Sequence, residues 1–264
     1  MEKFDPIQAL VCIERYQVFH AQFVPAKFVR ILNVSAPQHL SYDISSLQRV
    51  AHAAAPCPVE VKRPMIEWFG PLIDEYHASS EAIGASFITA EEWLQHPGSV
   101  GRPLVGVAHV LDDESGYPFE YLGDPAKTAA ARRPDGMTTV GDMGYLDSDG
   151  FLYLTDRRHY TIISGGVNIY PQEAENRLIS HPNVMDAAVF GIPDADMGQS
   201  AKAVVQAVDP AENTEDLGHE LSTWIQERLA HYKCARSISF EDTLPRTDAG
   251  KLYKQTLVDK YSAL

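Results

Sequence analysis

The chain has 264 residues, of which 45% are hydrophobic and 22% charged, a globular rather than a disordered composition. Its 22 basic and 36 acidic side chains give a net charge of −14, which argues against a broad basic surface for nucleic acid. No apolar run approaches the roughly 20 residues of a membrane span, and the start lacks a signal-peptide core. Three widely spaced cysteines, Cys12, Cys57 and Cys234, predict reduced thiols and a cytoplasmic protein.

Helical and strand-like patterns alternate over the first eighty residues. Asp5 is the predicted N-cap of an opening helix, and a second short helix begins at Pro25. A third helix is predicted over residues 58–69, with Pro64 expected to kink or shorten it. The predicted strands cover residues 19–24, 47–55 and 71–76. This alternation predicts an α/β layer with a parallel sheet.

The pattern changes after residue 81. Thr89 and Glu92 have the spacing of a capping box, and Asp124 precedes a helix that begins at Pro125. Most of residues 98–155 consists of short alternating runs rich in glycine, with turn chemistry at residues 147–150. These features predict antiparallel strands in a small β-barrel-like region.

A compact α+β unit is predicted for the last hundred residues. Its predicted helices cover residues 171–180, residues 217–229 and the C-terminal end, and its strands cover residues 184–190, 201–208 and 238–240. The predicted domains are therefore residues 1–158 and residues 159–264.

Four polar clusters carry the candidate chemistry, since neither a Walker-type phosphate loop nor a dinucleotide fingerprint occurs. They cover residues 75–81, residues 138–145 with 156–157, residues 162–173, and residues 244–251. A hydroxyl beside a carboxylate can hold a phosphate and a magnesium ion, and a carboxylate supported by an arginine can hold a ribose. Taken alone, the clusters have structural interpretations, namely a strand exit, a charged hairpin, a tight turn and a solvated lysine. For the strand exit, the hairpin and the lysine, that interpretation is favoured.

In this order and spacing, the four clusters resemble the core motifs of the AMP-forming adenylating enzymes, particularly the acyl-CoA synthetase branch. The resemblance implies that a carboxylic acid reacts with ATP to give an acyl-adenylate and pyrophosphate, and that CoA then displaces AMP. It also implies Mg²⁺ and an apolar acid, fatty or aromatic, for which Phe23, Val24 and Phe28 are candidate pocket residues. Residues 1–158 then correspond to the late part of the large AMP-binding domain, and residues 159–264 to a mobile C-terminal lid.

The resemblance also implies roles for single residues. Lys251 corresponds to the lysine that bridges the substrate carboxylate and the α-phosphate. Ser80 corresponds to the phosphate-contacting hydroxyl, and Glu81 to the magnesium carboxylate. The implied nucleotide- and CoA-facing residues are the adenine-stacking His77, the adenine-pocket backbone at Ala54 and Ala55, the ribose-binding Asp142 with Arg157, and the loop glycines Gly165 and Gly166.

The sequence departs from the family pattern at several positions. His77, Ala78 and Ser80 stand where tyrosine, glycine and threonine are usual, so we expect the hydroxyl and a stacking ring to be kept and Ala78 to crowd the nucleotide. Tyr160 stands at the hinge position that usually holds aspartate or lysine, so we expect lid rotation with altered energetics.

Family members are roughly twice as long, and their phosphate loop lies in the half that has no counterpart in this sequence. We therefore expect a truncated or split synthetase that is inactive alone. Two alternatives are a non-enzymatic residual fragment and a partner-binding subunit whose N-terminal half is a separate chain. Intact Asp142, Arg157 and Lys251 favour the split enzyme, whereas Ala78 and the missing loop favour the inert fragment.

Overall fold

The structure is a computed structural model that describes residues 4–34, 41–79, 84–105, 108, 124–130, 141–247 and 250–262. The chain forms two compact units, one built from Met1–Ile73 and Tyr160–Leu264 and the other from Asp74–His159. The first unit contains segments from both sides of residue 158, and the predicted division into residues 1–158 and 159–264 stays a prediction. No helix within the described ranges is long and apolar enough to cross a membrane.

The N-terminal part of the first unit alternates helix and strand as the sequence predicts. Its elements are α1 (Pro6–Tyr16), β1 (His20–Phe23), α2 (Pro25–Leu32), β2 (Arg49–His52) and α3 (Val59–Phe69). The Asp5 carboxylate caps α1 by accepting the Gln8 N–H at 2.7 Å, and β1 and β2 pair in parallel. This parallel pairing and the alternation confirm the α/β class.

Helix α3 is not shortened at Pro64, contrary to that part of the prediction. It continues to Phe69 although the proline ring removes a hydrogen-bond donor. The apolar residues on either side of the proline are buried, namely Val61, Met65, Ile66 and Phe69. Burial of four such side chains is worth several kcal/mol, more than the roughly 3 kcal/mol cost of an internal proline.

The C-terminal part of the first unit is a five-stranded sheet with three helices. The strands are β8 (Ile162–Ser164), β9 (Val167–Ile169), β10 (Val184–Asp194), β11 (Gly198–Ala207) and β12 (Ser237–Phe240), and the helices are α6 (Pro171–Ile179), α7 (Glu215–Gln226) and α8 (Lys254–Ser262). Strand β10 pairs antiparallel with β11, and β12 pairs parallel with it. Helices α6 and α7 bury Leu178, Leu221 and Ile225 against this sheet. The α+β prediction is confirmed, whereas β8 and β9 were not predicted.

The second unit contains two antiparallel pieces and two short helices. Its elements are β3 (Ile73–Ala78), which starts in the first unit, β4 (Ala85–Ile88), α4 (Ala90–Gln95), β5 (Arg102–Pro103), α5 (Pro125–Ala130), β6 (Asp142–Leu146) and β7 (Leu152–Arg157). Strands β3, β4 and β5 pair in chain order, and β6 and β7 form a separate ribbon. The Thr89–Glu92 capping box is present as predicted. The strands described within residues 98–155 pair antiparallel, as predicted. Nearly half of that region lies outside the described residues, so its barrel-like closure stays a prediction.

Candidate functional site

Asp142 and Arg157 face each other at the open end of the β6–β7 ribbon. The strand register pairs the first residue of β6 with the last residue of β7. Arg157 Nε lies 3.2 Å from Asp142 Oδ1. The hairpin therefore brings a predicted ribose carboxylate and its predicted supporting cation into one ion pair.

His77 lies at the other oxygen of the same carboxylate. It sits near the end of β3, and its Nε2 is 3.3 Å from Asp142 Oδ2. The Asp142 side chain is only 14% exposed, and Oδ2 is buried without a hydrogen bond from any residue in the described part of the chain. An oxygen in that state is costly to bury, which suits it to accept a ligand hydroxyl.

The residues that follow His77 are only partly described. Ser80 and Glu81, the predicted phosphate and magnesium residues, lie outside the described residues. Ser79 is described, and its hydroxyl oxygen is buried and has no hydrogen-bond partner within the described ranges. Sequence reasoning did not single out Ser79, because a serine beside Ser80 carries no signal of its own.

Gly144 allows the β6–β7 ribbon to close next to Asp142. The register shifts between Met143 and Gly144, as in a β-bulge. A Cβ atom at Gly144 would lie 2.4 Å from the carbonyl oxygen of Tyr153, so only glycine fits this position. Gly144 is part of the predicted motif, but its steric role depends on the opposite strand and was not visible in the sequence.

Asp147 closes the other end of the ribbon. Its Oδ1 accepts the N–H groups of Asp149 and Phe151 at 3.0 and 2.9 Å. Its Oδ2 accepts the Tyr153 hydroxyl at 3.2 Å and lies 3.2 Å from His96 Nδ1. His96, Asp147 and Asp149 lie close enough together to surround a cation. However, both oxygens of Asp147 already have partners within the protein. The cluster therefore stabilises the turn between β6 and β7.

The hydrogen bonds at Asp147 shift the pKa values of Asp147 and Tyr153 in opposite directions. Burial opposes ionisation of Asp147, but the Phe151 and Asp149 N–H groups and the Tyr153 and His96 side chains outweigh it and lower the pKa of Asp147. Burial, followed by the hydrogen bond to Asp147, raises the pKa of Tyr153 to about 12. The pair is therefore held as a carboxylate and a neutral phenol.

Lys251 follows a tight turn in the first unit. Thr247 N–H donates to the Lys251 carbonyl at 2.9 Å, Gly250 N–H donates to the Thr247 carbonyl at 2.7 Å, and Lys251 N–H donates to Thr247 Oγ1 at 3.1 Å. The Lys251 side chain itself is exposed. The turn therefore holds the backbone of Lys251 and leaves its ammonium group available.

Gly250 packs the same turn against Val24, just before α2. A Cβ atom at Gly250 would lie 2.6 Å from Val24 Cγ2, and Gly250 has a φ of +84°. Val24 follows Phe23 directly in the chain. The rings of Phe23 and Phe28 have centroids 5.8 Å apart. The structure thus brings the turn that carries Lys251 next to the predicted acid-pocket residues.

Gly165 and Gly166 form the two-residue turn between β8 and β9, with φ values of 56° and 78°. The tight turn that the glycine pair predicted is therefore present, and the flanking Ile163 and Val167 are exposed. The strands themselves were missed because three residues are too few to display an alternating pattern.

Ala54 and Ala55 follow the C-terminal end of β2. Ala54 has a φ of 74°, a left-handed conformation that alanine rarely adopts. Strained backbone and the carboxyl ends of parallel strands are both frequent at ligand sites. Both alanines therefore lie just after a strand end, as predicted, and their adenine-facing role stays a prediction.

Comparison with known proteins identifies the family. The AMP-binding enzyme family matches residues 1–124, and the AMP-binding enzyme C-terminal domain matches residues 173–251. The chain belongs to the AMP-forming adenylating enzymes. A long-chain-fatty-acid–CoA ligase of Bacillus subtilis is 33% identical over 98% of this chain and 49% of its own length. A feruloyl-CoA synthase of an Amycolatopsis species is 33% identical over 95% of this chain and 53% of its own length.

Solved structures agree with this assignment. The amide bond synthetase McbA from Marinactinospora thermotolerans has a TM-score of 0.79 and 29% identity, over 99% of this chain and 56% of that chain. The o-succinylbenzoate CoA synthetase of Bacillus subtilis, in complex with its acyl-adenylate, has a TM-score of 0.75 and 28% identity, over 97% and 54%. The chain thus spans about half the length of the curated relatives it matches.

Proposed function

We propose that this chain carries nucleotide-binding and carboxylate-activating residues of an ATP-dependent acid–CoA ligase. The overall reaction converts a carboxylic acid, ATP and CoA into acyl-CoA, AMP and pyrophosphate through an acyl-adenylate. The observation that carries the proposal is the Asp142 carboxylate, held by Arg157 on one oxygen while the other is buried without a hydrogen bond from any described residue.

Asp142 accepts the two ribose hydroxyls of ATP and of the adenylate. Arg157 fixes the orientation of the carboxylate through Oδ1. His77 lies beside the ribose carboxylate, where its ring stacks on the adenine. Ala54 and Ala55 offer backbone groups to the adenine edge. Each of these groups binds or orients the nucleotide and does not react with it.

Lys251 assists adenylation. The substrate carboxylate oxygen attacks the α-phosphorus while the bond to pyrophosphate breaks, and the Lys251 ammonium group stabilises the negative charge on the phosphorus oxygens. In the second step the thiol of CoA attacks the acyl carbon, and AMP leaves. The hairpin with Gly165 and Gly166 serves this second step.

Mg²⁺ belongs to the proposal through Glu81, with Ser80 as the phosphate-contacting hydroxyl. Mg²⁺ prefers oxygen ligands such as a carboxylate together with substrate phosphates. When bound, it would neutralise charge on the polyphosphate. Both residues lie outside the described ranges.

The acid is proposed to be apolar, either fatty or aromatic. Phe23 and Phe28 are buried, and Val24 contacts Gly250 in the turn that carries Lys251. An acid with an apolar side chain suits these residues, because burying apolar surface is favourable. The Phe28 ring carries no charge that could pair with a charged substrate group.

A ribose-specific binding measurement tests the proposal. The 264-residue chain is titrated calorimetrically with AMP and with 2′,3′-dideoxy-AMP, which lacks both hydroxyls. Because hydrogen bonds to a charged group are worth about 1.5–3 kcal/mol, we expect AMP to bind at least roughly tenfold more tightly. Asp142→Asn should remove this preference, whereas Asp149→Asn, at the opposite end of the ribbon, should keep it. Equal binding of both nucleotides by the unmodified chain would contradict the proposed site.

A further inference from the structure

Arg246 makes three short hydrogen bonds in the turn that carries Lys251. Its Nε and Nη2 donate to the two oxygens of Asp186 at 2.6 and 2.7 Å, a bidentate pair. Its Nη1 donates to the carbonyl oxygen of Gly250 at 2.6 Å. One guanidinium group thus connects strand β10 to the residue immediately before Lys251.

The surroundings of Asp186 fix its carboxylate where it accepts the hydrogen bonds of the Arg246 guanidinium. The side chain is only 9% exposed, and its Oδ1 also accepts the Ala187 N–H at 2.9 Å. The register of β10 against β11 shifts between Val184 and Asp186. Such bulges re-aim a side chain relative to a regular strand. The acceptor is therefore held rigidly by the sheet.

We propose that Arg246 is a positioning residue for Lys251. It holds the Gly250 carbonyl to the sheet through Asp186, while Gly250 packs against Val24 on its other side. These two attachments determine where the Lys251 side chain leaves the backbone. The inference rests on the proposed function of Lys251, since the charge needs a fixed position only if it meets a reacting phosphate.

The chemistry explains why arginine is required. A guanidinium group presents its donors in a rigid fork, so it can bind both oxygens of Asp186 and still reach the Gly250 carbonyl. A lysine at position 246 keeps the charge but is a single flexible ammonium group that cannot make all three bonds. Displacing a catalytic group by about 1 Å can cost roughly a hundredfold in rate.

The first measurement uses the chain without ligand. Amide hydrogen exchange is followed at Gly250 and Lys251, whose N–H groups bond within the turn. We expect Arg246→Lys and Asp186→Asn each to accelerate this exchange at least roughly tenfold, because the turn loses its attachment to β10. The matched control is Arg236→Lys, which alters another arginine–aspartate pair of β10, with Asp194, and should leave the turn unchanged.

Two results of this first measurement would overturn the positioning role. One is unchanged exchange at Gly250 and Lys251 in both variants. The other is equal acceleration at the buried amides of Val189 and Val204, because Arg246 would then stabilise the whole sheet instead of the turn.

The second measurement separates the two half-reactions, with octanoate and benzoate as probes. Arg246→Lys should slow acyl-adenylate formation by roughly a hundredfold and change thioester formation from supplied acyl-adenylate less than twofold. A loss of both half-reactions, or of neither while Lys251→Ala loses the first, refutes the positioning role and leaves the proposed function standing. If Lys251→Ala forms the adenylate normally, the proposed function fails. If the unmodified chain forms no adenylate, as expected of a chain that is inactive alone, the exchange experiment decides the role of Arg246.

Discussion

The two ends of the β6–β7 ribbon hold two aspartates in opposite conditions. At the turn, Asp147 has both oxygens engaged, by two backbone N–H groups, a tyrosine hydroxyl and a histidine. At the open end, Asp142 has one oxygen beside Arg157. The other is buried 3.3 Å from His77 Nε2, but without a hydrogen bond from the residues that the structure describes. The same side chain on the same ribbon is satisfied at one end and left incomplete at the other.

This difference separates a stabilising carboxylate from one suited to binding. A folded chain gains stability when its buried acceptors have donors, and an acceptor left without a donor costs free energy until a ligand supplies one. Asp147 therefore belongs to the stability of the second unit, and Asp142 to its proposed nucleotide site. Four predictions sharpen or break this contrast.

Gly144→Ala should have the largest effect, because it acts on the ribbon itself. The new Cβ atom would meet the Tyr153 carbonyl oxygen at 2.4 Å, which should cost about 3 kcal/mol of unfolding free energy and also remove the preference for AMP over its dideoxy analogue. Gly150→Ala is the control. It faces open space at a φ of +79°, so it should cost only about 1 kcal/mol. Urea unfolding measures both, and equal costs would refute the steric role.

Asp147→Ala should lower the melting temperature by roughly 5 °C, because three hydrogen-bond donors and the His96 ring lose their shared partner. Asp142→Ala should change stability by less than about 1 kcal/mol, since Arg157 is 40% exposed and can be solvated by water. Calorimetric melting distinguishes them. A larger loss for Asp142→Ala would reverse the assignment of the two ends.

At acidic pH, the loss of folding stability should follow the protonation of Asp147. Its folded-state pKa is lowered, so its stabilisation is present above the pKa of an unfolded aspartate and is lost as the pH falls through the folded value. Asp147→Asn should flatten the loss of stability below about pH 4. If the loss of stability at low pH is unchanged in this variant, the Asp147 carboxylate does not stabilise the turn.

The smallest effect is expected on the alkaline side. The pKa of Tyr153 is raised to about 12, while an unfolded tyrosine ionises near 10. The resulting stabilisation is complete below about pH 10 and is lost as the pH rises toward 12. In ¹³C-tyrosine spectra, the Tyr153 signal should titrate near 12 in the unmodified chain and at a lower pH in Asp147→Asn. Titration at the same pH in both would show that Asp147 does not influence this phenol.

Local sequence patterns predicted elements more reliably than they predicted contacts. The Asp5 cap, the Thr89–Glu92 capping box and the turn at Gly165 and Gly166 all appear where the residues indicated. Helix α3 was predicted over residues 58–69 and is observed at Val59–Phe69. It is not shortened at Pro64, because burial of the flanking apolar side chains outweighs the local cost of proline. Strands β8 and β9 were too short to be recognised.

The same limit applies to the candidate site: its residues could be predicted from motifs, but most of its contacts could not. Asp142, Arg157 and Lys251 could be chosen from their motifs, but the ion pair between Arg246 and Asp186, sixty residues apart, could not. Nor could the approach of His77 to Asp142 or of Gly250 to Val24. These contacts depend on which strands and turns become neighbours, and no motif in either segment encodes that.

The sequence by itself determined the helices, caps and turns, together with the resemblance to the adenylating enzymes, because these depend on residue types at short, regular spacings. Only the tertiary structure decided which of two similar aspartates is satisfied and which is left incomplete. The physical reason is that hydrogen-bond saturation is a property of the surroundings of an atom. Those surroundings come from chain segments as distant as His96 and Asp147, which are 51 residues apart.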